Sequence, residues 1–275
     1  HPVLALSETN RKSGHRHVVV RDTPRCGHRP EVMSGRGWKI DHTDVRHHEM
    51  ADTGQIRAFA GAVALATDAV VGFADADLGH FIQAISGGAL YRQTSFLLDS
   101  LGKPVFPKHI RIHEDPHVPM GKGSSPFDEE GVIPQKRDIV TDGRVQGYVL
   151  STYSARKLGL RTTGNAGGSH NLSLTSSQTR SGDDLQEMLR KLGTGLFVVE
   201  LMGQGVNPVT GDYSRGASGF WVEKGRIAYP VQEITIAGNL TDMYRGILAV
   251  GSDAYNYGAK TVGSVLINRM KIAGS

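Results

Sequence analysis

The chain has 275 residues, of which 39% are hydrophobic and 21% charged, and its formal net charge is +4. This composition is typical of a soluble globular protein, and the length suits one large domain or two ordinary ones. The single cysteine, Cys26, excludes an internal disulfide framework and favours a reducing, cytoplasmic setting. No apolar run approaches the roughly 18 residues of a membrane span, and no lysine/arginine run favours direct nucleic-acid binding.

The first 77 residues differ in composition from the rest of the chain. They hold seven of the twelve histidines and show no sustained apolar periodicity before Ile56. Residues 56–71 are compatible with a helix or a buried strand. We expect residues 1–77 to be poorly ordered or to lack a core of their own, because they bury little apolar surface. A shifted reading frame and a genuinely divergent segment are the two explanations that remain open.

Two groups of histidines suggest metal binding, and in both the spacing argues against it. The first group consists of Cys26, His28, His42, His47 and His48. It lacks the paired spacing of common zinc sites, so a solvated surface is favoured. In the second group, His113 and His117 are four residues apart, but Pro116 disfavours the helix that would bring them together. We therefore predict no metal site in this chain.

From Leu78 onward, helices and hairpins alternate without regular βαβ repeats, which predicts an α+β fold with mainly antiparallel sheet and flanking helices. The predicted helices are 80–86 (stopped by Gly87-Gly88), 90–101, 151–158, 183–192 and 239–250. The predicted strands are 110–113, 136–141, 144–150, 171–175, 262–267 and 270–273. Asp142-Gly143 gives the clearest hairpin signal, and a second hairpin is predicted over 221–229.

The most informative stretch is the glycine-rich segment from Met202 to Val222, which follows one apolar run and leads into another. We predict a strand–loop–strand unit beside a cleft, with Phe220 or Trp221 buried. The loop could be a binding surface or a plain irregular connection. Asp212 could be a turn residue that hydrogen-bonds its own backbone. The candidate cleft-lining or partner-facing residues are His80, Gly203, Gln204, Gly205, Gly211, Asp212, Tyr213, Ser214 and Arg215.

Residues from about Gly79 to Ser275 resemble the TldD/PmbA family of bacterial metalloprotease-related proteins. The resemblance is carried by GHFIQAISGGALYRQTSFLLDSLGK at 79–103, by 125–131, by 151–160 and by the whole glycine-rich region over 193–240. It fades upstream of Leu78, so it implies two parts: a divergent segment, 1–77, and a C-terminal domain of the TldD/PmbA fold, 78–275.

The resemblance also implies a role for the chain. The family works as a TldD–TldE heterodimer, in which the TldD subunit carries a His-Glu-x-x-x-His zinc motif and a distant cysteine ligand. Here the corresponding helix would end at His80, with Asp75 and Ala76 in place of the first histidine and the glutamate. The chain therefore resembles the non-metal subunit. Zinc is expected on a TldD-like partner, and this chain has no cofactor or catalytic residue of its own.

Two classes of function are compatible with these implications. The first is a subunit of a metalloprotease complex that takes unfolded peptides in extended form, as in peptide-antibiotic maturation or antitoxin degradation. The second is a non-enzymatic binding protein that modulates DNA gyrase or its toxins. An extended peptide could dock on a sheet edge through main-chain hydrogen bonds, with Gly203–Gly216 as one wall.

Overall fold

The computed structural model describes residues 66–73 and 75–274. The described residues form two six-stranded sheets and five short helices, which confirms the predicted α+β class. The helices are α1 (Asp75–Ala84), α2 (Gly87–Tyr91), α3 (Thr152–Leu158), α4 (Leu185–Leu192) and α5 (Leu240–Arg245). Within these residues, no helix has the length and apolarity that a membrane span requires.

The first sheet closes on itself. Its strands are β1 (Ala66–Phe73), β6 (Gly195–Met202), β7 (Asp212–Glu223), β8 (Arg226–Asn239), β9 (Ile247–Val250) and β12 (Ser264–Gly274). They follow the order β1-β6-β7-β8-β12-β9, and β12 also pairs with β1. Five strands therefore form a closed barrel, with β9 attached to β12 at its rim. All pairings are antiparallel except β1 with β6.

The second sheet is open. Its strands are β2 (Ile110–Asp115), β3 (Arg137–Thr141), β4 (Arg144–Val145), β5 (Asn171–Ser176), β10 (Tyr255–Tyr257) and β11 (Lys260–Val262). They follow the order β10-β11-β5-β2-β3-β4, and only the β11–β5 pairing is parallel. The inward positions of β2, such as Ile110 and Ile112, are fully buried. The alternation in β2 places one face of this sheet on the main core.

Both predicted hairpins are confirmed. Asp142 and Gly143 join β3 to β4 with positive φ angles of 49° and 71°. Lys224 and Gly225 join β7 to β8 in the same way, with φ angles of 50° and 74°. Two consecutive residues with positive φ match the right-handed twist of the flanking strands, which explains why these dipeptides mark the turns. The predicted strand over 144–150, however, is only the two-residue β4.

Three predicted helices, 80–86, 90–101 and 239–250, differ in extent from the observed α1, α2 and α5. Gly87 and Gly88 do not end a helix; they begin α2, because the Ser86 side chain accepts a hydrogen bond from the Ala89 amide. The helix predicted over 90–101 ends at Tyr91, and Gln93 then takes a positive φ of 56°. The helix predicted over 239–250 stops at residue 245, and its remainder is β9. The two predicted closing strands are a single strand, β12.

The glycine-rich segment is a strand, a loop and a strand, as predicted, with the loop at 203–211 between β6 and β7. The burial prediction is wrong, because Phe220 and Trp221 are both only half-buried. They pack against different clusters, as successive residues of a strand do. Val222 is the fully buried residue here, beneath the α4 side chains.

A buried carboxylate holds the second sheet together. Glu114 is 1% exposed, and its two oxygens accept hydrogen bonds from Arg137 Nε (2.8 Å), Asn165 Nδ2 (2.8 Å) and the His170 amide (2.9 Å). Arg137 donates further to the Tyr148 carbonyl and to Asn165 Oδ1. We call these four residues, Glu114, Arg137, Asn165 and His170, the Glu114 network. It joins β2 and β3 to the loop before β5.

The domain boundary expected at Leu78 lies inside α1, and β1 upstream of it belongs to the barrel. The poor order predicted upstream of Leu78 concerns mainly residues 1–65, which lie outside the described residues. The first group of histidines and Cys26 lie there as well. The predicted disorder therefore remains a prediction for that part of the chain.

Candidate functional site

The site is built where α1 crosses β7. The His80 ring on α1 lies 6.5 Å from the Tyr213 ring, edge to face at 81°. Tyr213 is 2% exposed and sits in β7 opposite Gly238 of β8. Arg215 follows two residues later on the same face of the strand, where its positive charge acts on the Tyr213 phenol. Three of the predicted site residues, His80, Tyr213 and Arg215, are thus brought together.

Two further residues belong to this site. Lys260 of β11 reaches over α1, where its Nζ lies 2.9 Å from the position that a Cβ on Gly79 would occupy. The absence of a side chain at Gly79 therefore makes room for the ammonium group. Asp77, one turn before His80, accepts a hydrogen bond at its backbone oxygen from the Tyr244 hydroxyl (3.0 Å).

The electrostatics of the site favour a neutral His80. Burial, followed by the Arg215 guanidinium and the Lys260 ammonium, lowers the pKa of His80 below its ordinary value of 6.5. Burial, and after it the Asp77 carboxylate, raises the pKa of Tyr213. The same two causes raise the pKa of Tyr244. At neutral pH the imidazole and both phenols are therefore uncharged, between two cations and one carboxylate.

Two polar atoms of the site are unsatisfied. His80 Nε2 and Arg215 Nε are both buried and find no hydrogen-bond partner among the described residues. Buried polar atoms without partners are rare and each carries a free-energy cost. Both atoms are shielded from water, so a ligand group reaches them only if neighbouring side chains move.

The site does not fit a zinc ion. A zinc site needs three or four nitrogen, sulfur or carboxylate ligands around one point. Within residues 66–73 and 75–274, no group of three His, Cys, Asp or Glu side chains could hold a metal. The charged groups that lower the pKa of His80 are cations, which would also repel a divalent metal.

The other predicted residues form a tight surface loop. The Ser214 amide donates to the Gly205 carbonyl (2.7 Å), which folds the loop back onto β7. Gly205 has no room for a side chain, because a Cβ there would collide with the Ser214 carbonyl. Gly211 takes a positive φ of 78° and lies against the Phe96 ring. Gly203 and Gln204 are exposed at the tip.

The turn prediction for Asp212 is wrong, because this residue begins β7 and its carboxylate bonds two other side chains and not its own backbone. Its carboxylate accepts hydrogen bonds from Thr210 Oγ1 (2.6 Å) and Asn239 Nδ2 (3.3 Å). These two bonds lower the pKa of Asp212, so it is a carboxylate at neutral pH. It is exposed and lies on the outer side of β7 from Tyr213, so Asp212 and Ser214, although part of β7, face away from the buried site.

The strands on both sides of the loop limit how a peptide could bind. β6 pairs with β1 and β7, and β7 pairs with β6 and β8. The β1 pairing covers only Gly195–Val198 of β6, so among the described residues the stretch 199–202 beside the loop has no strand partner on that edge. This short edge and the exposed loop at 203–210 are the places where the wall predicted for Gly203–Gly216 could contact an extended peptide.

Sequence analysis did not find Asp77 or Lys260. Asp77 lies three residues before His80, a spacing that puts both on one helix face and could have indicated it. Lys260 is far along the chain on the other sheet, and no local pattern connects it with α1.

Comparison with known proteins identifies this domain. A family model of the PmbA/TldA metallopeptidase C-terminal domain matches residues 62–274. The metalloprotease PmbA of Escherichia coli O157:H7 is 55% identical over 196 residues, which cover 71% of this chain and 43% of that protein. Its homologue in Haemophilus influenzae is 53% identical over 198 residues, which cover 72% of this chain and 43% of that protein. The chain thus spans less than half the length of these relatives.

Solved structures share the fold. A proposed modulator of DNA gyrase from Bacteroides thetaiotaomicron is 27% identical with a TM-score of 0.71, over 78% of this chain and 48% of that one. Another, from Thermotoga maritima, is 30% identical with a TM-score of 0.70, over 78% and 51%. TldE from Thermococcus kodakarensis, 23% identical with a TM-score of 0.65 over 76% and 50%, supports the fold alone. Because the family model matches most of its length, the chain belongs to the PmbA/TldD metallopeptidase family through its C-terminal domain.

Proposed function

We propose that this chain is the non-metal subunit of a two-chain metalloprotease that acts on unfolded peptides in the cytoplasm. The observation that carries the proposal is the setting of His80. Burial, and after it Arg215 and Lys260, lowers the pKa of His80, and the two cations make the same place unfavourable for a divalent metal. Family resemblance would put Asp75 and Ala76 where a zinc-binding subunit has its first histidine and its glutamate.

In this proposal a TldD-like subunit holds the zinc, which supplies an activated water when bound. The present chain shapes and supports the substrate cleft. The exposed loop at 203–210 forms a wall for an extended peptide, and its hydrogen bonds to β7 keep that wall rigid. The barrel positions the loop, because the strands on either side of it pair with each other and β7 pairs also with β8. No membrane or nucleic acid takes part.

The test is to purify this chain, a TldD-like chain from the same source, and the two co-expressed. Zinc content is measured by elemental analysis, and hydrolysis is followed with an unfolded, fluorogenic peptide. We expect zinc on the partner, a stable complex, and hydrolysis that needs both chains. One tightly held zinc per isolated chain, or peptide hydrolysis by the isolated chain, would overturn the proposal.

Two variants locate the contribution of this chain within the complex. Arg215→Gln removes a site cation, and we expect it to reduce kcat/KM by about tenfold, equivalent to roughly 1.4 kcal/mol. Arg269→Gln is the matched control, because it removes the same charge from an exposed arginine of β12 that is not among the candidate site residues. If both variants had equal activity, the site around Arg215 would not contribute to the substrate cleft.

The second candidate is a non-enzymatic protein that binds DNA gyrase or a gyrase-directed toxin. It is favoured by two structural relatives that are described as proposed modulators of DNA gyrase. The same experiment distinguishes it, because this candidate predicts no hydrolysis by the co-expressed chains. Direct binding to purified gyrase, measured by surface plasmon resonance, would then support it.

A further inference from the structure

A second surface, separate from the barrel, is formed by α2 and α3. The two helices approach closely at Gly87, because a Cβ there would collide with the Ser154 side chain. Ser154 is itself held by the capping box that it shares with Ser151 at the start of α3. This close approach brings the end of α2 against the first turns of α3.

The contact produces a row of two rings between two cations. The Tyr91 and Tyr153 rings lie 5.8 Å apart, edge to face at 83°. The Arg92 guanidinium lies 5.2 Å from the Tyr91 centroid, and the Lys157 ammonium lies 5.7 Å from the Tyr153 centroid. Arg92 Nη1 also donates to the Tyr91 hydroxyl (3.1 Å). We call Tyr91, Arg92, Tyr153, Arg156 and Lys157 the basic tyrosine patch.

The patch is exposed and carries an unbalanced positive charge. Tyr153 is 54% exposed, and Arg92, Arg156 and Lys157 are exposed as well. Arg156 lies three residues after Tyr153 and so shares its helix face. None of these three cations forms an ion pair with another described residue.

Acidic residues also lie at this end of the molecule, in the run Asp128, Glu129 and Glu130. The Glu130 carboxylate accepts a hydrogen bond from the Thr152 amide (2.5 Å) at the start of α3. The Thr152 hydrogen bonds lower the pKa of Glu130, so it is a carboxylate at neutral pH. Glu130 is bonded to the helix amide and Asp128 to the backbone amides of Glu130, Val132 and Ala166, so neither carboxylate pairs with the three cations. Exposed aromatic and arginine side chains in one place are typical of the energetic centre of a protein interface.

We propose that the basic tyrosine patch binds an acidic stretch of a protein chain. Carboxylates pair with the forked guanidinium groups of Arg92 and Arg156, while the tyrosine edges pack against the stems of the bound side chains. A nucleic acid fits the patch less well. Each ring already has a cation over one face and the other ring against it, which leaves little room for base stacking. Three cations also provide few phosphate contacts.

The test uses fluorescence anisotropy with fluorescein-labelled hexaglutamate at low salt, with hexaglutamine as the neutral probe. We expect hexaglutamate to bind the wild-type chain, to be released as salt rises, and hexaglutamine not to bind. Arg92→Glu/Lys157→Glu should weaken hexaglutamate binding by at least about tenfold. Tyr153→Ala should weaken it by a smaller factor.

The matched control is Lys108→Glu/Arg269→Glu, which changes the net charge equally at two exposed cations outside the patch. It should keep most of the affinity. If charge reversal destabilises the fold, as thermal unfolding would reveal, Arg92→Gln/Lys157→Gln replaces it and should again weaken binding. Equal losses in the patch and control variants would overturn the proposal. So would binding of labelled oligothymidylate without binding of hexaglutamate, or no binding of either. The inference does not rest on the proposed protease function.

Discussion

The Glu114 network and the site around His80 are two polar clusters with opposite hydrogen bonding. In the Glu114 network both carboxylate oxygens and three groups that face them are paired, and the carboxylate is 1% exposed. At the other site, His80 Nε2 and Arg215 Nε are buried and have no hydrogen-bond partner in the described part of the chain. One cluster is complete, and the other retains unused hydrogen-bonding capacity.

This difference separates a structural role from a functional one. A fully satisfied buried network specifies how strands and loops meet, and it needs no further partner. Unsatisfied polar groups persist where function offsets their cost. Burial of polar groups alone would therefore have indicated the wrong cluster, since Glu114 is the more buried of the two. The following predictions test the distinction, from the largest effect to the smallest.

The largest effect is expected from Glu114→Gln. The substitution leaves the Arg137 guanidinium without its anionic partner and places an amide donor against other donors. We expect a loss of roughly 3 kcal/mol or more in the free energy of unfolding, measured by urea denaturation. Glu187→Gln is the control, because its ion pair with Arg190 lies on the surface, and we expect a change within about 0.5 kcal/mol. Similar losses in both variants would contradict a structural role for the network.

A smaller effect is expected from Gly205→Ala. The added methyl group would collide with the Ser214 carbonyl, so the loop must move away from the part of β7 that carries Tyr213 and Arg215. We expect a loss of about 1–3 kcal/mol in the free energy of unfolding. Gly182→Ala is the control, because a Cβ there has no neighbour within 4 Å. A Gly205→Ala variant as stable as this control would show that the loop is not tied to the strand.

The smallest effect is a change in the titration of His80. By NMR, we expect its midpoint to lie below 6.5, and Arg215→Gln to raise it by removing a cation. Ser214→Ala should leave it unchanged. A midpoint that does not respond to Arg215→Gln would contradict the electrostatic description of the site.

The same shift has a consequence for stability. In the unfolded chain His80 takes up a proton near pH 6.5, whereas in the folded chain it does so only at a lower pH. The stability associated with neutral His80 is therefore fully present above about pH 6.5 and is lost as the pH falls toward the native pKa. Urea unfolding at neutral and mildly acidic pH should show a smaller acid-induced loss for His80→Gln than for the wild-type chain.

Local chemistry made part of the fold predictable. Asp142-Gly143 specified its hairpin because both residues accept positive φ. Gly159 ended α3 in the left-handed conformation, as glycine after a helix predicts. Gly87 was wrongly interpreted as the end of a helix. A glycine is required there because Ser154 of the neighbouring helix α3 leaves no room for a side chain. A short-range pattern cannot distinguish a glycine that ends a helix from one that admits a neighbouring helix.

The site was only partly predictable for the same reason. His80, Tyr213 and Arg215 were indicated by the sequence, but their proximity depends on how α1 crosses β7. Lys260 reaches them from the other sheet, so nothing near it in the chain predicts its position. Closure of the barrel through β1 and β12 was likewise not predicted, since it joins the two ends of the described sequence.

That closure has a consequence for biosynthesis. Val71 pairs with Leu266, so roughly 195 residues must be translated before β1 meets this partner. Its other neighbour, β6, is also more than a hundred residues away and pairs with it in parallel. Such distant pairings are slow to form, and unpaired strands are prone to aggregate meanwhile. During synthesis, β1 therefore has neither of its barrel neighbours until first β6 and then β12 have left the ribosome.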